Sequence, residues 1–170
     1  MNLPRPALES LRLFIALWPD AHTRQALTAL QADQRWPTSA RPTAAPDLHV
    51  TLHFLGQVPQ NRLAPLLSAL PDLSLTLDLS FDQLEVWPNQ VATLTLSSMP
   101  DALAGLHDTI GHSLRQLGLP PDPRPYRPHV TLARKAQGLQ SVMTRPLEWH
   151  SQGYVLALSD RGYHVLQHYG

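Results

Sequence analysis

The sequence predicts an α+β fold whose strands pair mainly antiparallel. Apolar runs of strand length and amphipathic helical stretches follow in the order strand, helix, strand, helix, two strands, helix, three strands. That mixture lacks the strict alternation of a doubly wound parallel sheet. Residues 73–81 alternate one by one, with Leu73, Leu75, Leu77, Leu79 and Phe81 between Ser74, Thr76, Asp78 and Ser80, the signature of a strand with one buried and one wet face. No composition break marks a linker, so residues 1–170 read as a single domain large enough for a real core.

Each element has a local reason. Leu11–Leu17 is a near-continuous apolar run that reads as a first strand. Arg12 inside it and Trp18-Pro19-Asp20 after it, with no small-residue cleavage site, set it apart from a signal peptide. Asp20 caps a helix expected to run through about Arg35, with Ala26, Leu27 and Leu30 on one face. Three prolines make 36–46 a loop, and 48–55 is the next strand. Leu63, Leu66, Leu67 and Leu70 form a helical stripe after Pro59. Residues 91–96 form a strand reached through the Trp87-Pro88-Asn89 turn. The helix opening at Asp101 carries Leu103, Leu106, Ile110, Leu114 and Leu117 and closes at Gly118. A proline-rich loop, 120–128, leads into strands at 129–133, around 154–158 and at 163–169.

Composition narrows the function. There is no cysteine, which excludes disulfides, thiolate metal sites and cysteine nucleophiles. No apolar run reaches the roughly 20 residues of a spanning helix; a cytoplasmic, monomeric protein is the expectation. The formal net charge of zero argues against coating long nucleic acid by electrostatics alone. Residues 115–145, however, hold six basic side chains against Asp122 alone. That stretch could meet a small anion or a polynucleotide end, although a solvated basic loop would look the same.

One feature repeats. His49-Val50-Thr51-Leu52 recurs letter for letter as His129-Val130-Thr131-Leu132, each copy following a proline-containing loop at the start of a strand. Side chains alternate across a strand, so His and Thr of each copy share one face while Val and Leu anchor the other. Two such strands together would offer two imidazoles and two hydroxyls to one space. Opening a cyclic phosphodiester needs a base for the attacking water and an acid for the departing alkoxide. An ordinary imidazole pKa of about 6.5 lets one ring be neutral and the other charged near pH 7. Threonine hydroxyls and an arginine can hold the non-bridging oxygens. Residues alone leave open which histidine is acid and which is base. The other histidines read as bystanders: His107 and His112 do not align as ligands, and no His-Glu-x-x-His pattern recruits zinc.

Residues 128–134, Pro-His-Val-Thr-Leu-Ala-Arg, with His49-Val50-Thr51-Leu52-His53-Phe54-Leu55-Gly56 upstream, resemble the two-histidine (2H) phosphoesterases, closest to their LigT-like RNA 2′,3′-cyclic phosphodiesterase (2′-5′ RNA ligase) branch. The opening strand and the closing 156–166 stretch are similar to that branch as well. The resemblance implies two pseudo-symmetric lobes of antiparallel sheet, outer helices and a central cleft. It implies metal-independent hydrolysis of RNA 2′,3′-cyclic phosphate ends to 2′-phosphomonoesters without a cofactor, with some members also joining RNA ends weakly. By matching position, His49 would be the proton donor, His129 the proton acceptor, and Thr51, Thr131 and Arg134 would hold the phosphate.

Further contacts are weighed beside these. Tyr126, in the loop before the second motif, and Phe54 could stack on a base, although a regular strand would turn Phe54 away from His49 and into the core. Arg127 could meet phosphate or only solvent. His53 shares the face of His49 and Thr51 in a regular strand and could touch the substrate, or be a partly buried bystander. Trp18, Trp36, Trp87 and Trp149 read as packing residues. The expected partner is a short RNA or RNA end. The alternatives are another cyclic substrate such as ADP-ribose 1″,2″-cyclic phosphate, a metal-dependent hydrolase using the nine histidines, or a non-catalytic RNA-end binding module.

Overall fold

The computed structural model describes residues 9–141, 143 and 145–170. The chain runs β1 (Ser10–Leu17), α1 (Ala21–Ala32), β2 (Arg41–Pro42), β3 (Val50–Pro59), α2 (Leu63–Ala69), β4 (Thr76–Phe81), β5 (Gln83–Val86), β6 (Ala92–Thr95), α3 (Asp101–Gln116), β7 (His129–Arg134), β8 (Leu147–Gln152), β9 (Tyr154–Ser159) and β10 (Tyr163–Tyr169). Every pairing among the described residues is antiparallel, as the sequence predicts for its α+β class. A large sheet has the order β10-β9-β1-β3-β7-β6-β5, with the two-residue β2 also on β7, and β4 pairs with β8 in a separate ribbon. Its halves, β10-β9-β1-β3 and β7-β6-β5, meet among the described residues through a single pair, Val50 opposite Val130. The repeated motif lies at that seam.

One face of the sheet is covered and the other is open. Leu13, Ile15 and Leu17 of β1, Val50 and Leu52 of β3 and Val130 and Leu132 of β7 enter one core with Leu27 of α1, Phe81 of β4, Ile110 of α3 and Trp149 of β8. The intervening β1 residues, Phe14 and Ala16, lie in a second cluster with Val155 and Ala157, against which Trp18 and Tyr163 pack. Strand alternation thus sends one set of residues to each side of the sheet. No helix among the described residues is long and apolar enough to cross a membrane.

Caps and turns account for most boundaries. The Asp20 carboxylate accepts the Thr23 N–H at 2.7 Å to start α1. That helix stops at Ala32 rather than Arg35, and Trp36 Nε1 donates to the Gln31 carbonyl at 2.8 Å as the chain turns away. Gly118, at φ +68°, closes α3 while Leu119 N–H bonds back to the Leu114 carbonyl. Strands β2, β5 and β8 lie outside the sequence reading. β2 is two residues in a loop, β5 carries little apolar pattern, and β8 alternates with only Leu147 and Trp149 as large apolar anchors.

Candidate active site

The two motifs meet as neighbouring antiparallel strands. With Val50 opposite Val130, the register sets His49 across from Thr131 and Thr51 across from His129. Val50, Leu52, Val130 and Leu132 are buried, whereas both histidines and both threonines are half-buried. These four polar side chains, with Arg134, line one cleft of about 480 Å³ on the open face of the sheet.

Each imidazole is fixed in the same way. His49 Nδ1 lies 2.7 Å from the Asp47 carbonyl and His129 Nδ1 lies 2.7 Å from the Arg127 carbonyl, in each case two residues back. A carbonyl only accepts, so Nδ1 carries the proton in both rings and Nε2 is left for a ligand. His49 Nε2 itself stands 3.0 Å from the Thr51 hydroxyl. The sequence builds this locally. Asp47 ends a one-turn 3₁₀ helix, Ala45–Asp47, containing Pro46, and Pro128 extends the chain at Arg127.

Aromatic rings wall both histidines. Trp18 stacks on His49 at 5.6 Å, and Phe14 and Tyr163 stand 5.0 and 5.1 Å away, completing three sides of a box. Trp87 packs on His129 at 4.5 Å, its Nε1–H donating to Glu85 at 3.0 Å. A guanidinium covers each tryptophan, Arg24 at 5.7 Å from Trp18 and Arg127 at 4.6 Å from Trp87. Trp18 and Trp87 are therefore packing residues of a particular kind, because what they pack is the two imidazoles. Nothing in the sequence separates them from Trp149 in the core.

Burial lowers the pKa of both rings, partly opposed by the hydrogen bonds at Nδ1. Their charged surroundings differ. Asp47 favours the proton on His49, against the neighbouring His129 and Arg24, while Arg127 disfavours a proton on His129.

A β-bulge rearranges the residues after the first motif. On β3, Thr51 pairs with Ala16 and His53 with Ile15, so Leu52 is the extra residue of a bulge, and a second irregularity follows between Phe54 and Gly56. Leu52 and His53 are consequently both buried, and Phe54 emerges on the side of Thr51. This corrects two expectations drawn from a regular strand. Phe54 is 52% exposed and lines the cleft. His53 is 4% exposed and turned from it, with Nε2 2.8 Å from the His107 carbonyl and burial holding its pKa down to about 4.

His53 begins a stack instead. Its ring lies 4.1 Å from His107, which lies 4.0 Å from Tyr126 on its other side. Tyr126 donates its hydroxyl to the Thr51 carbonyl at 3.1 Å and, with burial raising its pKa, stays protonated. It joins the loop before the second motif to the strand of the first. Tyr126, Trp87, Phe54 and Arg127 line a second chamber of about 470 Å³ that shares Thr51, Phe54 and His129 with the first. Arg127 is not free, since Nη2 lies 3.4 Å from Glu85. Arg12, Arg41 and Tyr163 also line the first chamber, placed there by pairings that the motif does not reveal. Among the described residues, no three His, Asp or Glu side chains gather as a ligand set for a metal.

The LigT-like phosphoesterase family model matches residues 17–93 and 94–147. The chain is 30% identical over 146 residues to the RNA 2′,3′-cyclic phosphodiesterase of Escherichia coli K12, covering 83% of this chain and 81% of that one. It is 26% identical over 165 residues to the Thermus thermophilus protein of the same name, covering 88% and 82%. The structure of E. coli LigT complexed with 3′-AMP superposes with a TM-score of 0.77 at 27% identity, over 95% of this chain and 98% of that one. The sequence match, the shared fold and the paired His-x-Thr strands agree: the chain belongs to the LigT-like phosphoesterase family.

Proposed function

We propose that this chain hydrolyses RNA 2′,3′-cyclic phosphate ends to 2′-phosphomonoesters, with His49 and His129 as its acid–base pair. The relatives carry the name of that reaction. The observation that carries the assignment of residues is the common placement of the two imidazoles, each held at Nδ1 by the carbonyl two residues back and both lining one cleft. In the proposed step a water oxygen attacks phosphorus and gives its proton to His129. The bond from phosphorus to the 3′-oxygen breaks as His49 protonates that oxygen, leaving a 3′-hydroxyl and a 2′-phosphate. Thr51, Thr131 and Arg134 hold the non-bridging oxygens. Arg127 disfavours a proton on His129, which suits its role as base, while Asp47 favours one on His49 against His129 and Arg24. The aromatic box around His49 adds cation–π support for its charged form.

Phe54 and Tyr126 suit a base or ribose in the second chamber, and Arg127 borders it through its contact with Trp87. In this reading residues 1–170 act as one bilobal, cytoplasmic, monomeric unit without cofactor or metal. With a 5′-hydroxyl in place of water as the nucleophile, the same ring opening would join RNA ends weakly through a 2′-5′ linkage and leave a 3′-hydroxyl.

The test is hydrolysis of a 2′,3′-cyclic nucleotide in excess chelator. Turnover persists there, and His49→Ala and His129→Ala each reduce it by about two to four orders of magnitude. Full activity in either variant defeats the assignment. Binding without turnover in the wild type reduces the chain to an RNA-end binding module.

A further inference from the structure

We infer that Arg41 holds a second phosphate, the phosphodiester next to the cyclic end, so that the preferred substrate is an RNA chain rather than a mononucleotide. This rests on the cyclic-phosphate reading above and extends it to a subsite which that reading does not use. In the β2–β7 pairing Arg41 stands directly opposite Arg134. Like charges so placed destabilise a strand pair, and neither they nor Arg12 has an acidic partner among the described residues. All three line the first chamber, where Asp47 is the one acid among the described residues, and the Asp47 carboxylate already accepts the Tyr163 backbone N–H at 3.2 Å. With the reacting phosphate on Arg134, a second anion beside Arg41 relieves the repulsion.

The segment is built to present this charge. β2 has two residues, yet three hydrogen bonds fix the backbone behind it. Thr43 N–H donates to the Leu132 carbonyl at 2.8 Å, and Gln31 Nε2 donates to the carbonyls of Leu132 and Thr43 at 2.7 and 3.0 Å. Arg41 Nη1 is bonded to the carbonyls of Ser39 and Ala40 at 3.0 and 3.1 Å, which steadies the guanidinium. Arg12 is set apart from this pair, 5.1 Å over the Phe54 ring. The first chamber, at about 480 Å³, exceeds what one phosphate fills, and Arg41 and Thr43 line it together with Arg134.

The test compares a nucleoside 2′,3′-cyclic phosphate with a dinucleotide ending in the same group. Arg41→Gln lowers kcat/KM for the dinucleotide about tenfold more than for the mononucleotide, chiefly through KM. It also flattens the salt dependence of dinucleotide binding by about one phosphate contact. Arg134→Gln, by contrast, lowers both substrates alike. Activity on the mononucleotide reports that the variant has folded. Equal losses on both substrates place Arg41 on the reacting phosphate and overturn the inference, as does an unchanged ratio between them. Faster turnover of a cyclic phosphate carrying a pyrophosphate than of the dinucleotide overturns the RNA assignment. If the wild type opens neither cyclic phosphate, the underlying reading fails and this one with it.

Discussion

Truncating Phe54 tests the bulge that brings it to the cleft. The ring is 52% exposed and carries the Arg12 guanidinium 5.1 Å from its centre. Phe54→Ala therefore removes about half of a phenylalanine's burial, about 1 kcal/mol, and a surface cation–π contact worth about 0.5 kcal/mol. At about 2–4 °C per kcal/mol for a chain of this size, Tm falls by roughly 3–6 °C. Loss of base stacking removes about 1–3 kcal/mol of binding, about 5- to 150-fold in kcat/KM for 2′,3′-cyclic AMP. A regular strand would instead bury Phe54 beside Val50. Truncation would then open a core cavity worth about 3–5 kcal/mol, with little direct effect on the substrate. Melting curves and steady-state kinetics on the same preparation separate these outcomes. A Tm loss well above about 10 °C with kcat/KM within about twofold of wild type refutes the placement of Phe54 in the site.

Two further outcomes follow from the structure. Burial lowers the pKa of both histidines, and the reaction needs His49 charged and His129 neutral, so kcat/KM follows a bell with its optimum below about pH 6.5. A bound anionic phosphate favours the imidazolium, so the alkaline limb of kcat lies at higher pH than that of kcat/KM, and a kcat/KM optimum above about pH 7.5 contradicts the pairing. Gly153, at φ +58° between β8 and β9, has room for no side chain, since a Cβ would lie 1.9 Å from the Tyr169 carbonyl oxygen. Gly153→Ala lowers Tm by at least about 5 °C, more than Gly118→Ala, where φ is +68° but nothing stands within 4 Å; equal losses in the two variants argue against the close approach.

The α+β class, most of the strands, all three α-helices and the two His-x-Thr motifs were legible because each has a local cause. Alternation in 73–81 and the helical stripe from Leu103 to Leu114 declare which face is apolar, and the identical tetrapeptides declare which face is polar. Strands β2, β5 and β8 were not legible, because what makes them strands is a partner rather than a pattern. The same distinction runs through the site. Sequence alone determined that His49, Thr51, His129 and Thr131 would share faces of their strands, since a period of two is intrinsic to the extended chain. Only the tertiary structure decided that Val50 meets Val130, that Trp18 and Trp87 wall the imidazoles, and that Arg41 stands against Arg134. It also decided that Phe54 and His53 exchange sides. A bulge sets two residues of one strand against one of its partner, so it belongs to the pair of strands rather than to either one's residues.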